Sequence, residues 1–115
     1  MWRDDALLLD MLLAARDARE FVQGLDGPAF LASRLHQNAV VRSLEVIGEA
    51  AGKVSKGFRD GHPEVPWSDI VNMRNRLIHA YNEVRLDIVW NVVRNQLPEL
   101  IAALEPLVPP ENDSA

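Results

Sequence analysis

The run Arg74-Asn75-Arg76-Leu77-Ile78-His79-Ala80-Tyr81 places two guanidiniums, an imidazole and a phenol in eight residues of an otherwise apolar stretch. These groups can hold a phosphodiester and move a proton beside it. A guanidinium is a permanent cation whose planar fork matches phosphate oxygens. An imidazole titrates near neutrality and can both accept and donate a proton. Little else in the chain offers chemistry. There is no cysteine, which removes thiolate nucleophiles, disulfides and cysteine metal sites together and fits a reducing, cytoplasmic setting. His36 and His62 have no second ligand at a distinctive spacing, so neither a metal nor a cofactor is expected. Ser33, Ser43, Ser55 and Ser68 lack a nucleophile-elbow context, and there is no Gly-rich phosphate loop.

The elements that must carry this cluster read as helices. At 115 residues, 48% hydrophobic and 25% charged, the chain has the size and composition of one globular domain, expected over residues 1–107 with a disordered tail at 108–115. No secretory leader is evident, and no apolar run approaches the ~20 residues that span a bilayer. The net charge of −5 argues against a nucleic-acid partner at first sight, but it is unevenly spread. Residues 96–115 hold Glu99, Glu105, Glu111 and Asp113 and no Lys or Arg, so −4 of the total sits there and the other 95 residues sum to −1. A local basic patch is compatible with the acidic whole.

Apolar residues recur at helical spacing over 4–23, and Gly24, Gly27 and Pro28 end that helix. The spacing predicts a second helix over 28–56, with Leu31, Leu35, Val40 or Val41, Leu44, Ile47, Ala51 and Val54 on one stripe. Gly48 falls mid-helix, where glycine costs ~1 kcal/mol against alanine. Two readings of it stand: close packing inside the bundle, or contact with a second subunit. Two prolines and two glycines predict an irregular loop over 57–67, pinned by Phe58, Val65 and Trp67. A third helix should start with Ser68 as N-cap and reach Ala80. A fourth should begin near Leu86 or Asp87, keep its register through Pro98 with a kink there, and stop at Pro106, Pro109 and Pro110. No segment alternates like a strand. The expectation is an all-α antiparallel bundle of four to five helices.

Within the third helix, Ile70, Leu77, Ile78 and Tyr81 lie three, four or seven positions from Arg74, so Arg74 points toward the apolar stripe. A guanidinium there needs a partner, and Glu45 or Glu49 of the second helix would supply a purely structural one. His79 lies about 140° around the axis from Arg74 and shares a polar face with Asn72, Asn75 and Arg76. Arg74 and His79 can reach one phosphate if the helix unwinds near Ala80, or if two copies of the helix meet across a twofold axis.

Arg74-x4-His79-x-Tyr81 matches the motif of HepT-like toxins in the HEPN superfamily, and Asn75 fits the polar position after the Arg. Ser43-Leu44-Glu45-Val46-Ile47-Gly48-Glu49-Ala50-Ala51, His62-Pro63-Glu64-Val65-Pro66-Trp67, Met73-Arg74-Asn75-Arg76 and Leu97-Pro98-Glu99-Leu100 resemble that family's other signatures in the same order, covering most of residues 5–106. The resemblance implies an all-α bundle that pairs as a homodimer, with Arg74 and His79 of both chains facing one cleft. It further implies a metal-independent endoribonuclease, the toxin of a type VII-like toxin–antitoxin pair. Its antitoxin partner would be a minimal nucleotidyltransferase that attaches AMP to Tyr81. In that scheme Arg74 and His79 are catalytic and leave a 2′,3′-cyclic phosphate, and Asn75 and Arg76 support them. The alternative is a non-catalytic HEPN module that binds a nucleotide or docks the nucleotidyltransferase.

Overall fold

The computed structural model describes residues 2–79 and 85–109, and at Trp2, Ile78 and His79 it describes the backbone alone. All regular structure in these residues is helical, in the order α1 (Trp2–Phe21), α2 (Gly27–Leu31), α3 (Arg34–Lys53), α4 (Lys56–Gly61), α5 (Trp67–His79), α6 (Leu86–Asn91) and α7 (Leu97–Leu104). The all-α bundle is as expected, and α1, α3, α5 and the α6–α7 pair are its long members.

Leu8, Met11, Leu12, Ala15 and Ala18 recur at three- and four-residue intervals along α1 and are all buried. The small residues Ala14, Ala15 and Ala18 let α3 approach closely. Gly24 then turns the chain with φ +83°, a conformation that L side chains rarely adopt. Asp4 at the start of α1 is buried, and its carboxylate accepts from the Ser55 amide at 3.0 Å and from the Ser55 hydroxyl at 2.6 Å. The start of α1 thus lies beside the end of α3, and the two helices are antiparallel.

The single helix expected over 28–56 is two. Asp26 caps α2 by accepting from the Ala29 amide at 2.9 Å, and Ser33 caps α3 by accepting from the His36 amide at 3.3 Å. Between them Gln37 Nε2 donates to the carbonyls of Phe30 (3.1 Å) and Leu31 (3.0 Å), closing the C-terminus of α2. The break swings Phe30 fully into the core, where its ring stacks on Trp90 at 5.1 Å. It also turns Leu31 and Leu35 out of the apolar stripe, leaving them 52% and 76% exposed.

The segment 57–67 is not wholly irregular. Its glycines sit inside the short helix α4, which Ser55 caps from the Phe58 amide and which a Lys56–Asp60 pair spans at 2.7 Å. The irregular backbone is confined to 62–66, which holds both prolines. The three expected anchors hold: Val65 and Trp67 are buried, Phe58 packs against the core, and Trp67 Nε1 donates to the His62 carbonyl at 2.9 Å. Helix α5 starts at Trp67, not Ser68, because the Pro66 carbonyl accepts from the Ile70 amide at 3.0 Å.

Between α6 and α7, Val92–Gln96 forms a wide π-helical turn in which the Leu97 amide donates to the Val92 carbonyl. The expected irregularity at Pro98 is therefore centred one turn earlier. In this register the next donor, position 98, would bond the Val93 carbonyl, but proline has no N–H. Arg19 Nη1 of α1 fills that place at 3.2 Å. Val89, Val93, Leu97, Leu100 and Leu104, spaced four, four, three and four apart, are all buried before, within and after the turn. The last described element is a 3-10 turn, Glu105–Leu107; Val108, which the sequence assigned to a disordered tail, packs on the core, and the rest of that tail from 110 on lies outside the described residues.

Candidate functional site

Helix α5 lies antiparallel on α3, with Gly48 against Arg74 and Ile70, and Gly52 against Val71. Arg74 points toward the apolar side, as the spacing predicts, and is half-buried there. Gly48 makes that seat. A Cβ at position 48 would overlap Arg74 Cβ, fall 2.7 Å from its Cγ and come within 3.3 Å of the Ile70 carbonyl oxygen. Of the two readings of Gly48, close packing inside the bundle is the one observed.

The structural partners expected for Arg74 do not engage it. Glu49 pairs with Lys53 at 3.4 Å, and among the described residues neither Glu45 nor Glu49 bonds Arg74. Arg74 Nε is buried and has no hydrogen-bond partner among the described residues. Such a group costs roughly 1–3 kcal/mol unless something satisfies it, which makes it a feature to explain. Arg59 Nε on α4 is in the same condition, and nothing in the sequence singled it out.

The other face of α5 borders a groove of about 970 Å3. Asn72, Asn75 and Arg76 form one wall, Gln96 and Glu99 stand opposite, and Leu44, Ile47, Leu97 and Leu100 lie below. The structure thus brings Asn75 and Arg76 together but sets Arg74 on a different side of the helix. The backbone of α5 stays helical through position 79, one turn beyond Asn75 and Arg76. Ala80, the point at which unwinding would bring Arg74 and His79 together, and Tyr81 lie outside the described residues.

At the groove's margin Glu64 is held below the usual carboxylate range, first by its own backbone amide and then by His62, whose Nδ1 lies 3.0 Å away. His62 also stacks on Phe58 at 4.4 Å, and His36 pairs with the hydroxyl of its own N-cap, Ser33. Both histidines have structural partners. Among the described residues no group of three or more His, Asp or Glu is placed to hold a metal ion.

The family model described as "Ribonuclease HepT-like" matches residues 11–107. The chain belongs to the HepT-like ribonuclease family. A protein of Methanocaldococcus jannaschii named as a candidate RNase is 36% identical over 100 residues, covering 87% of this chain and 92% of its own. The protein named as probable ribonuclease HepT of Thermococcus cleftensis is 37% identical over 100 residues, with 87% and 91% covered. A third, a candidate RNase of Caldanaerobacter subterraneus subsp. tengcongensis, reaches 42% over 81 residues, with 70% and 72% covered. No solved structure matches the chain. The resemblance read from the four ordered signatures is borne out, and with it the assignment of this HepT-like chain as an RNA-cleaving enzyme. No described helix is long and apolar enough to cross a membrane.

Proposed function

We propose that this HepT-like chain is the toxin of a toxin–antitoxin pair and cuts RNA at a composite site formed where two copies bring their α5 helices together. The observation that carries this reading is Arg74: a half-buried guanidinium on α5, seated on α3, with a buried Nε that has no partner among the described residues. A twofold axis beside α5 would give one phosphate two Arg74 and two His79 side chains. That removes the need for Arg74 and His79 of one chain to share a helix face.

The chemistry balances without an added reagent. His79 takes the proton of the ribose 2′-OH, and that oxygen attacks the adjacent phosphorus. Arg74 stabilises the negative charge that builds on the phosphoryl oxygens. The bond from phosphorus to the 5′-oxygen breaks, and the partner subunit's His79 gives that oxygen a proton. The products are a 2′,3′-cyclic phosphate and a 5′-hydroxyl. Asn75 and Arg76, on the groove wall, orient the strand on either side of the cut. In the proposed control step the Tyr81 phenol attacks the α-phosphorus of ATP on the nucleotidyltransferase antitoxin and pyrophosphate leaves. The added AMP puts bulk and negative charge next to His79 and repels RNA. Such a pair would act in the cytoplasm.

The decisive assay uses protein with an unmodified Tyr81, checked by intact mass, on a labelled RNA in EDTA and again in Mg2+. Cleavage in both that His79→Ala abolishes, while the dimer persists in sedimentation, is the expected result. RNA left whole by the wild-type protein in both buffers would leave the non-catalytic, nucleotide-binding alternative standing. The acidic groups around the groove, Glu64, Asp69 and Glu99, oppose an anionic strand there and favour the form of that alternative in which the module docks the nucleotidyltransferase.

A further inference from the structure

We infer that Gly48 of α3 is a positioning residue for Arg74: by lacking a side chain it lets the Arg74 stem lie against the α3 backbone, which fixes the guanidinium before substrate binds. This inference rests on the ribonuclease reading for its functional consequence. Its geometry stands on three observations.

The first is the kind of atom that a Cβ at 48 would meet. Arg74 Cβ and the Ile70 carbonyl oxygen at 3.3 Å are fixed by the backbone of α5; Arg74 Cγ at 2.7 Å can turn about χ1, but the Cβ overlap stays whatever rotamer the side chain takes. Relief would require α5 itself to move. The second is that the constraint is local. One turn along the same contact, a Cβ at Gly52 would meet only Val71 Cγ2 at 3.9 Å, an ordinary contact. The α3–α5 packing as a whole therefore tolerates side chains, and the strict need for glycine is confined to the place where Arg74 sits. The third is the state of Arg74. Among the described residues its buried Nε has no partner and no ion pair holds its head. Packing of the stem is what orients it.

Glycine at this helix-interior position is a cost of about 1 kcal/mol against alanine. The return is a guanidinium that does not reorganise as charge develops on phosphate, and such preorganised groups are the ones that lower a barrier. A freely rotating arginine would bind RNA about as well but would stabilise the transition state less. The loss on disturbing Gly48 therefore falls on kcat more than on KM.

The test compares wild type, Gly48→Ala, Gly52→Ala, Arg74→Gly and the double variant Gly48→Ala/Arg74→Gly. Arg74→Gly is chosen because it removes the Cβ that position 48 would meet. Helix content and sedimentation confirm fold and assembly, and cleavage of a fluorogenic RNA gives kcat and KM. Gly48→Ala should lose at least about tenfold in kcat, toward the Arg74→Gly level, with KM changed less. Gly52→Ala should match wild type, and the double variant should be no slower than Arg74→Gly. A Gly48→Ala protein with wild-type kcat overturns the inference, as does a double variant that loses the full Gly48→Ala factor again. Should Gly48→Ala not fold, exchange of the Arg74 Nε–H in the wild-type chain decides. It should exchange far more slowly than the Nε–H of exposed Arg76, and equal rates end the proposal. If wild type leaves RNA whole, the ribonuclease reading fails, while the exchange measurement still reports on the seat.

Discussion

Asp4 is a buried carboxylate whose charge ties the first turn of α1 to the junction of α3 and α4. Its two bonds, 3.0 Å from the Ser55 amide and 2.6 Å from the Ser55 hydroxyl, also orient the hydroxyl that caps α4. Bonds to a charged acceptor are about twice as strong as neutral ones. Asp4→Asn keeps the shape and loses the charge, so it should cost about 1–1.5 kcal/mol. Asp4→Ala loses both bonds and should cost about 2–3 kcal/mol, the lower part of the range because exposed Ser55 can turn to water. With an unfolding entropy near 2.1 cal/mol/K per residue, each kcal/mol lowers the Tm of a chain this size by about 4 °C, so the two variants should melt about 5 °C and 10 °C below wild type. The sign with pH follows from the direction of the shift. Ser55, first through its hydroxyl and then through its amide, holds the Asp4 carboxyl below its ordinary value of 3.8. A group depressed in the folded state contributes stability above its unfolded pKa and loses it as pH falls through the folded one. Urea unfolding of wild type and Asp4→Asn from about pH 7 to about pH 2.5 should therefore show a gap that holds through neutrality and closes below about pH 4. A gap of the same size at both ends would refute the reasoning, because it would come from something other than the charge.

Arg19→Met should cost about 1 kcal/mol by stranding the Val93 carbonyl, and that cost should shrink in a Pro98→Ala background, where position 98 regains an N–H; a double-mutant cycle in urea reads both. Trp67→Phe removes the 2.9 Å bond to the His62 carbonyl and should cost about 1 kcal/mol by denaturant midpoint. Glu105→Gln breaks a 2.9 Å pair with Arg16 in which both side chains are half exposed, so its unfolding free energy should stay within about 0.5 kcal/mol of wild type. Arg76→Ala should slow RNA cleavage less than Arg74→Ala; an equal loss would shift the centre of the site onto the groove wall beside Asn75.

Much of this molecule could be read before its coordinates. The long helices follow from 3.6-residue periodicity, and the side of α5 on which Arg74 falls follows from counting residues around its axis. What escaped has physical reasons. Leu31 and Leu35 fit the apolar stripe of one long helix, yet Ser33 and Gln37 satisfy backbone groups locally and break it, and no periodicity records that competition. Gly57 and Gly61 argued against a helix, but a cap at Ser55 and an i,i+4 ion pair outweigh two weak residues in a segment of six. Pro98 announced an irregularity but put it at the proline, whereas the wide turn lies one turn earlier, with a distant Arg19 on the Val93 carbonyl that position 98 cannot bond. Gly48 and Arg74 were each conspicuous alone. That one seats the other is a tertiary fact, 26 positions apart in the chain.

The wide turn between α6 and α7 divides one rod into two parts with different neighbours. The leading part packs on α2 and α3, and the trailing part packs along α1. A regular helix would have to compromise between those seats, since a rotation that suited one would misalign the other. The wide turn sits at the hand-over between those seats and carries Gln96, so a deletion that restored a regular helix there would move the wall facing α5 together with the helix along α1.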